Sequence, residues 1–214
     1  MKKILIAVAA LAFASSAHAS TVLFDFGAAP HLGNIGNTET YTNGGLSVYA
    51  SGFNAIGHTA DLYGKHNGGD ENGLGLANDP TGEHEIHYGS GFVQLDVHGL
   101  FGKVKASSLE FGTNSTTGGE AWAVYGTNTA GTLSGSSLLV SGSSEGLHFL
   151  SGLGLFKYYD FVETSKKGGE NFLITELQAT SGTPEPATWA MMFVGLAFVG
   201  GALRRKAWTA RAAA

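Results

Sequence analysis

Carboxylate and amide side chains are concentrated in one short segment, and these are the groups that a calcium ion binds in proteins. The members are Asp70, Glu71, Asn72 and Asp79, followed by Glu83 and Glu85. Their spacing does not follow the EF-hand pattern, so solvated acids in turns are the alternative interpretation. We expect at most a structural Ca²⁺ site, at Asp70, Glu71, Asn72 and Asp79, and no other cofactor.

Histidine and serine side chains form no recognisable catalytic pattern. His84 and His87 lie in a segment predicted to be extended, where residues three apart point to opposite faces. The serine-rich segments 134–137 and 141–144 are predicted to form flexible turns or loops rather than the strand-to-helix elbow of a serine hydrolase. A triad of His148, Asp160 and a serine can be drawn, but nothing in the sequence selects it. The sequence therefore favours a protein without enzymatic activity.

Four aromatic residues offer rings on which a sugar could stack: Trp122, Tyr125, Tyr158 and Tyr159. At strand spacing such residues more often belong to a core, which makes carbohydrate binding the alternative function.

Short runs of alternating apolar and polar residues must position these side chains. They span 22–26, 46–50, 60–63, 92–97, 107–111, 121–125, 157–162 and 171–177. Aromatic and β-branched residues dominate them, and Gly, Asn, Ser and Thr separate them. No stretch between them shows sustained helical periodicity. The pattern predicts an all-β protein, an antiparallel β-sandwich.

Charge and composition exclude several classes of protein. The 214 residues contain no cysteine, which excludes disulfides, cysteine-ligated zinc and cysteine nucleophiles. The net charge is −5, but residues 20–183 hold 6 Lys and 16 acids, a net charge of −10. An acidic domain of this kind repels phosphate backbones, so we expect no nucleic-acid partner.

The first residues are typical of a secretory signal peptide. Two lysines precede the apolar run 4–14, and Ala17 and Ala19 then form the small-x-small pattern that signal peptidase cuts. We expect a signal helix in residues 1–19, with cleavage after Ala19. The chain is therefore predicted to be exported.

The last residues carry a second apolar run, from Trp189 to Leu203, between prolines and a basic cluster. It predicts a short transmembrane helix with its basic end in the cytoplasm. The residues that carry a further resemblance are Pro184, Glu185, Pro186, Trp189, Ala190, Gly195, Arg204, Arg205 and Lys206. In this combination they resemble the PEP-CTERM sorting signal in its PEPxxWA form. Residues 207–214 extend further past the basic cluster than is usual.

The resemblance implies recognition by exosortase, processing near the Pro-Glu-Pro motif, and release or relinking at the cell surface. Residues 70–179 are also similar in outline to the jelly-roll, galactose-binding-like ectodomains of many PEP-CTERM proteins. The expected organisation is a signal peptide (1–19), a β-sandwich ectodomain (20–183), a sorting signal with a membrane helix (184–206) and a cytoplasmic tail (207–214). The expected function is that of a surface or extracellular-matrix protein associated with exopolysaccharide or biofilm.

Overall fold

The computed structural model describes residues 20–69, 71–116, 119–166, 171–181 and 192–198. Within these residues the chain forms fifteen β-strands. They are β1 Thr21–Asp25, β2 Gly33–Gly36, β3 Thr38–Asn43, β4 Leu46–Asn54, β5 Thr59–Ala60, β6 Leu62–His66, β7 Asn72–Leu76, β8 Ile86–His87, β9 Gly91–Asp96, β10 Glu110–Asn114, β11 Trp122–Thr127, β12 Ser137–Gly142, β13 Gly146–Phe149, β14 Tyr158–Glu163 and β15 Asn171–Thr180. Two short 3₁₀ helices span His98–Leu100 and Ala106–Ser108.

The strands form two antiparallel sheets. The first sheet has the order β13-β10-β15-β7-β6-β2, with β1 and β8 also paired to β15. The second sheet has the order β12-β11-β14-β9-β4-β3, with β5 paired to β4. This sandwich-like arrangement confirms the predicted all-β class and antiparallel pairing.

The core lies between the sheets, where strands such as β1 and β4 bury alternate residues. Phe111 of the first sheet packs edge-on against Trp122 and Phe161 of the second, with ring centroids 5.2 Å apart in both pairs. Such edge-to-face contacts add to the free energy gained by burial. Residues 20–182 form one compact unit by themselves.

All eight predicted runs overlap strands, but some regions differ from the prediction. Ser137, Ser141 and Gly142, predicted to lie in flexible turns or loops, belong to β12 because the backbone of β11 supplies hydrogen-bond partners for this strand. Ser107 and Ser108, predicted to begin a strand, belong to a 3₁₀ helix. Three further strands, β2, β3 and β7, are rich in Gly, Asn or Thr, and two short strands, β8 and β13, also lie outside the predicted runs.

The predicted terminal elements fall largely outside the described residues. This holds for the signal helix with Ala17 and Ala19, and for most of the predicted membrane segment. Residues 192–198 form a short helix, α1. None of the helices in the described ranges has the length and apolar character needed to cross a membrane.

Candidate functional site

The acidic segment folds around a lysine from a neighbouring strand. β6 and β7 form a hairpin in which Lys65 pairs with Gly73, so Glu71 at the turn comes back over the lysine side chain. The backbone N–H of Asn67 donates to the Glu71 carbonyl at 3.0 Å and closes this turn. Glu85 arrives just before β8, which pairs with β15.

The Lys65 ammonium lies among three carboxylates, and we call this group the Lys65 cluster. It contacts Glu71 directly, Glu85 Oε1 at 2.5 Å and Glu83 Oε2 at 3.6 Å. Ser115 Oγ donates to Glu85 Oε1 at 3.2 Å. Lys65 is 3% exposed and Glu85 is 1% exposed, so the central pair is removed from water.

Burial and charge act in opposite directions on the Lys65 cluster. Burial alone lowers the pKa of Lys65, but hydrogen bonds to Glu71 and Glu85 outweigh it and the net pKa is raised. Burial raises the pKa of Glu85, because the attraction of Lys65 offsets only part of the desolvation cost. The hydrogen bond to Lys65 lowers the pKa of the more exposed Glu71.

Unusual backbone conformations converge on Glu85. Among the described residues, His84 (φ 62°) and Ser115 (φ 63°) are the non-glycine residues with positive φ. His84 precedes Glu85, and Ser115 donates to it. Gly75 lies beneath the same turn, where an added Cβ would come within 2.2 Å of the His84 carbonyl oxygen. The chain therefore holds Glu85 in place by costly local geometry.

The described members of the predicted calcium set do not form an oxygen cage. Glu71 contacts Lys65, whose ammonium supplies the positive charge beside this carboxylate. The side-chain amide of Asn72 donates to the Gly69 carbonyl. The Asp79 carboxylate accepts a hydrogen bond from the Thr81 hydroxyl at 2.5 Å. Within the described ranges no group of three or more His, Asp or Glu side chains is arranged to hold a metal ion. Asp70 lies outside the described residues.

Two of the four aromatic residues considered for sugar stacking belong to the core. Trp122 is 1% exposed and donates from Nε1 to the Ser144 carbonyl at 3.1 Å, and Tyr159 is fully buried. Tyr125 and Tyr158 lie half-buried on the outer face of the second sheet. This confirms for Trp122 and Tyr159 the core position that their strand spacing favoured.

His148 and Asp160, the two named members of the candidate triad, do not pair with each other. His84 stacks on Tyr63 with ring centroids 4.1 Å apart. The His148 ring packs between Phe111 and Trp122, and its Nε2 lies 3.0 Å from Thr113 Oγ1. Asp160 is on the outward side of β14 and pairs with Gln94 rather than with a histidine.

Sequence reasoning missed a buried polar pair on the outer face of the second sheet. Gln94 Nε2 donates to Asp160 Oδ1 at 2.7 Å, and the Gly131 amide donates to Gln94 Oε1 at 3.2 Å. Asp160 is 0% exposed, and its Oδ2 has no hydrogen-bond partner in the described part of the chain. Burial raises the pKa of Asp160 to about 7. The sequence predicted a strand at 157–162, but no local pattern indicated that Gln94 of β9 would pair with Asp160.

A second missed feature is a cavity of about 260 Å³ on the first sheet. Its polar lining includes Glu110 of β10 and Gln178 of β15, which face each other across the ladder. Neither residue belongs to a recognisable motif, and only the register of these strands brings them together.

The residues of the predicted sorting signal are described only in part. Gly195 lies in α1, with nothing within 4 Å of an added Cβ. The other members lie outside the described residues: Pro184, Glu185, Pro186, Trp189, Ala190, Arg204, Arg205 and Lys206.

Comparison with known proteins identifies the end of the chain. Residues 183–206 match the family model of the PEP-CTERM protein-sorting motif, which confirms the resemblance seen in the sequence. Searches of the curated proteins and of the solved structures find no match. The motif implies an exported protein that exosortase processes and sorts toward the cell surface.

Proposed function

We propose that this PEP-CTERM protein is a noncatalytic surface or extracellular-matrix protein that acts in the exopolysaccharide layer or biofilm. The observation that carries the proposal is the sorting motif at residues 183–206. Signal peptidase and exosortase are the processing partners, and the membrane is the site of processing. The ectodomain then reaches the cell surface or the surrounding matrix.

The remainder of the proposal rests on the sequence and on the compactness of the ectodomain. A leader with Ala17 and Ala19 at its cleavage site supports export. The sequence contains no HExxH or phosphate-loop motif, and its GxSxG pentapeptide at residues 142–146 links two strands, β12 and β13, rather than a strand and a helix, which supports a binding or structural role. Residues 20–182 form a compact unit whose core side chains all lie within that range. Such a unit is suited to persist after the tail has been processed.

Deleting residues 184–206 is expected to move the ectodomain out of the envelope fraction, either into the medium or into degradation. The deletion removes the motif, and the measurement is fractionation followed by immunodetection of the ectodomain. Deleting residues 207–214 is the matched control, because it leaves the motif intact and should not change the location. An unchanged location after the first deletion would exclude sorting by this motif.

Carbohydrate binding is the second candidate function. The observation that favours it is the cavity on the first sheet. The residues that line this cavity are mostly polar, and the exposed ring of Phe149 lies beside them. Aromatic rings beside hydrogen-bonding groups suit the alternating apolar and hydroxyl surfaces of sugars.

A further inference from the structure

The cavity on the first sheet opens near the beginning of β1 and the end of β15. Its lining presents hydroxyl, amide and carboxylate groups, from Thr21, Ser107, Ser108, Glu110, Gln178 and Thr180. None of the described residues that line it is basic. This set of groups can hydrogen-bond a neutral polyol and offers no positive charge to an anion.

The side chains of Glu110 and Gln178 are held in place by a hydrogen bond to each other. Gln178 Nε2 donates to Glu110 Oε2 at 3.0 Å. Ser108 is committed to the fold, because its Oγ accepts the Thr180 amide at 2.8 Å and donates to the Lys105 carbonyl at 2.9 Å. Glu110 Oε1 and Gln178 Oε1 have no hydrogen bond within the described part of the chain. They are therefore acceptors in fixed positions, ready for ligand hydroxyl groups.

A row of side chains extends the cavity across four strands. Leu23, Gln178, Glu110 and Phe149 are successive cross-strand partners in β1, β15, β10 and β13. Directly opposed residues share one face of a sheet, and this face is the outer one because their neighbours Phe111 and Leu177 are in the core. At about 4.8 Å between strands the row is about 14 Å long, which exceeds one sugar ring.

The row ends in an exposed aromatic ring. Phe149 is 50% exposed and lies directly opposite Glu110 in the ladder. An aromatic face beside a carboxylate matches a sugar, which presents C–H groups on one side and hydroxyl groups at its edge.

The charge of this face selects against acidic polymers. Asp25 and Glu176 are paired in the row next to Glu110. Burial raises the pKa of Glu176, and the negative charges of Asp25 and Glu110 raise it further. An anionic ligand would meet repulsion here in addition to that of the net charge of −10.

We propose that this cavity and the adjoining Phe149 ring bind a neutral saccharide, with Glu110 and Gln178 accepting hydrogen bonds from its hydroxyl groups. The proposal deepens the second candidate function and rests on it. It does not depend on the sorting motif. It places sugar binding on the first sheet, away from Trp122, which lies in the core.

The test measures binding by the exported protein, extracted from cells in a detergent that contains no sugar. The probes are oligosaccharides built from glucose, galactose or mannose, and matched oligosaccharides built from uronic acids. We expect binding to a neutral probe, and a Kd weakened about tenfold or more by Glu110→Gln, which removes a charged acceptor. Phe149→Ala should weaken it about tenfold through the loss of ring stacking. Tyr49→Ala is the matched control, since Tyr49 is also 50% exposed but lies on the second sheet.

The possible outcomes distinguish failure of the proposed site from failure of carbohydrate binding as a function. Binding that both cavity substitutions leave unchanged would overturn this site while leaving carbohydrate binding in place. A preference for uronic acid probes would overturn the proposed selectivity for neutral sugars. Absence of binding to every probe would overturn both the site and the second candidate function. Thermal unfolding of each variant verifies that the fold is retained, and Glu110→Gln preserves the size of the side chain.

Discussion

Replacing Lys65 by methionine is expected to lower the free energy of unfolding by about 3–5 kcal/mol at neutral pH. The substitution keeps most of the side-chain volume but removes the ammonium that Glu85 contacts at 2.5 Å. Glu85 is 1% exposed, and its Oε2 already lacks a hydrogen-bond partner in the described part of the chain. An uncompensated carboxylate at this position must ionise without a partner or bind a proton. Denaturant unfolding at constant pH measures the change.

Two further variants make the result specific to the buried pair. Lys65→Met combined with Glu85→Leu removes both charges and should recover much of the lost stability, because apolar replacement of a whole buried pair is often tolerated. Lys157→Met is the matched control: this half-exposed lysine lies 3.4 Å from Asp96, and its loss should matter far less. A small effect of Lys65→Met, or a double variant less stable than the single one, would contradict the prediction.

The ectodomain is expected to lose stability as the pH rises from 4 to 8. Burial raises the pKa of Asp160 from an ordinary value of 3.8 to about 7. The folded state therefore holds this proton more tightly than the unfolded state does. The resulting stability is complete below pH 3.8 and is lost as the pH rises to about 7, a change of about 4 kcal/mol from Asp160 alone.

Other titrating groups modify this profile without reversing it. Burial raises the pKa of Glu85, Glu163 and Glu176, so these acids act in the same direction as Asp160. Glu71 and His148 act in the opposite direction. The pKa of each is lowered in the folded state, so each reduces the stability of the fold as the pH falls. We therefore expect greater stability at pH 5 than at pH 8.

Asp160→Asn should remove most of the contribution of this residue to the pH dependence. The amide oxygen can still accept from Gln94, while the group that ionises is gone. Asp61→Asn is the control, because Asp61 is exposed and its carboxylate accepts a surface hydrogen bond from Asn34. Denaturant unfolding from pH 4 to pH 8 provides the measurement. A free energy of unfolding that rises toward pH 8, or a pH dependence that is unchanged in Asp160→Asn, would contradict the role assigned to Asp160.

The fold was predictable where one face of a strand is buried and the other is not. The alternating runs at 22–26 and 46–50 match β1 and the first half of β4 closely because burial imposes a period of two there. The strand β12 shows no such pattern, because both of its faces are largely open and its partner β11 holds it through the backbone. Edge strands of this kind leave little trace in side-chain composition.

The candidate sites were less predictable because they depend on register between distant segments. Local composition marked Glu71 as a calcium ligand but gave no sign that Lys65 would contact its carboxylate. The Glu110 and Gln178 pair is separated by 68 positions, and only the β10–β15 register makes them neighbours. The Gln94 and Asp160 pair likewise depends on the β9–β14 register, which no local pattern specifies.

The position of β15 has a consequence for the order of folding. This strand is the last of the sandwich in the chain, yet it pairs with β1, β7, β8 and β10 and so completes the first sheet. The pairing of Thr21 with Thr180 forms slowly, because it closes a loop that contains most of the ectodomain. A chain that emerges from its first residue onward therefore stays incompletely folded until the whole ectodomain is available. This delay suits a polypeptide that must be threaded across a membrane before it becomes compact.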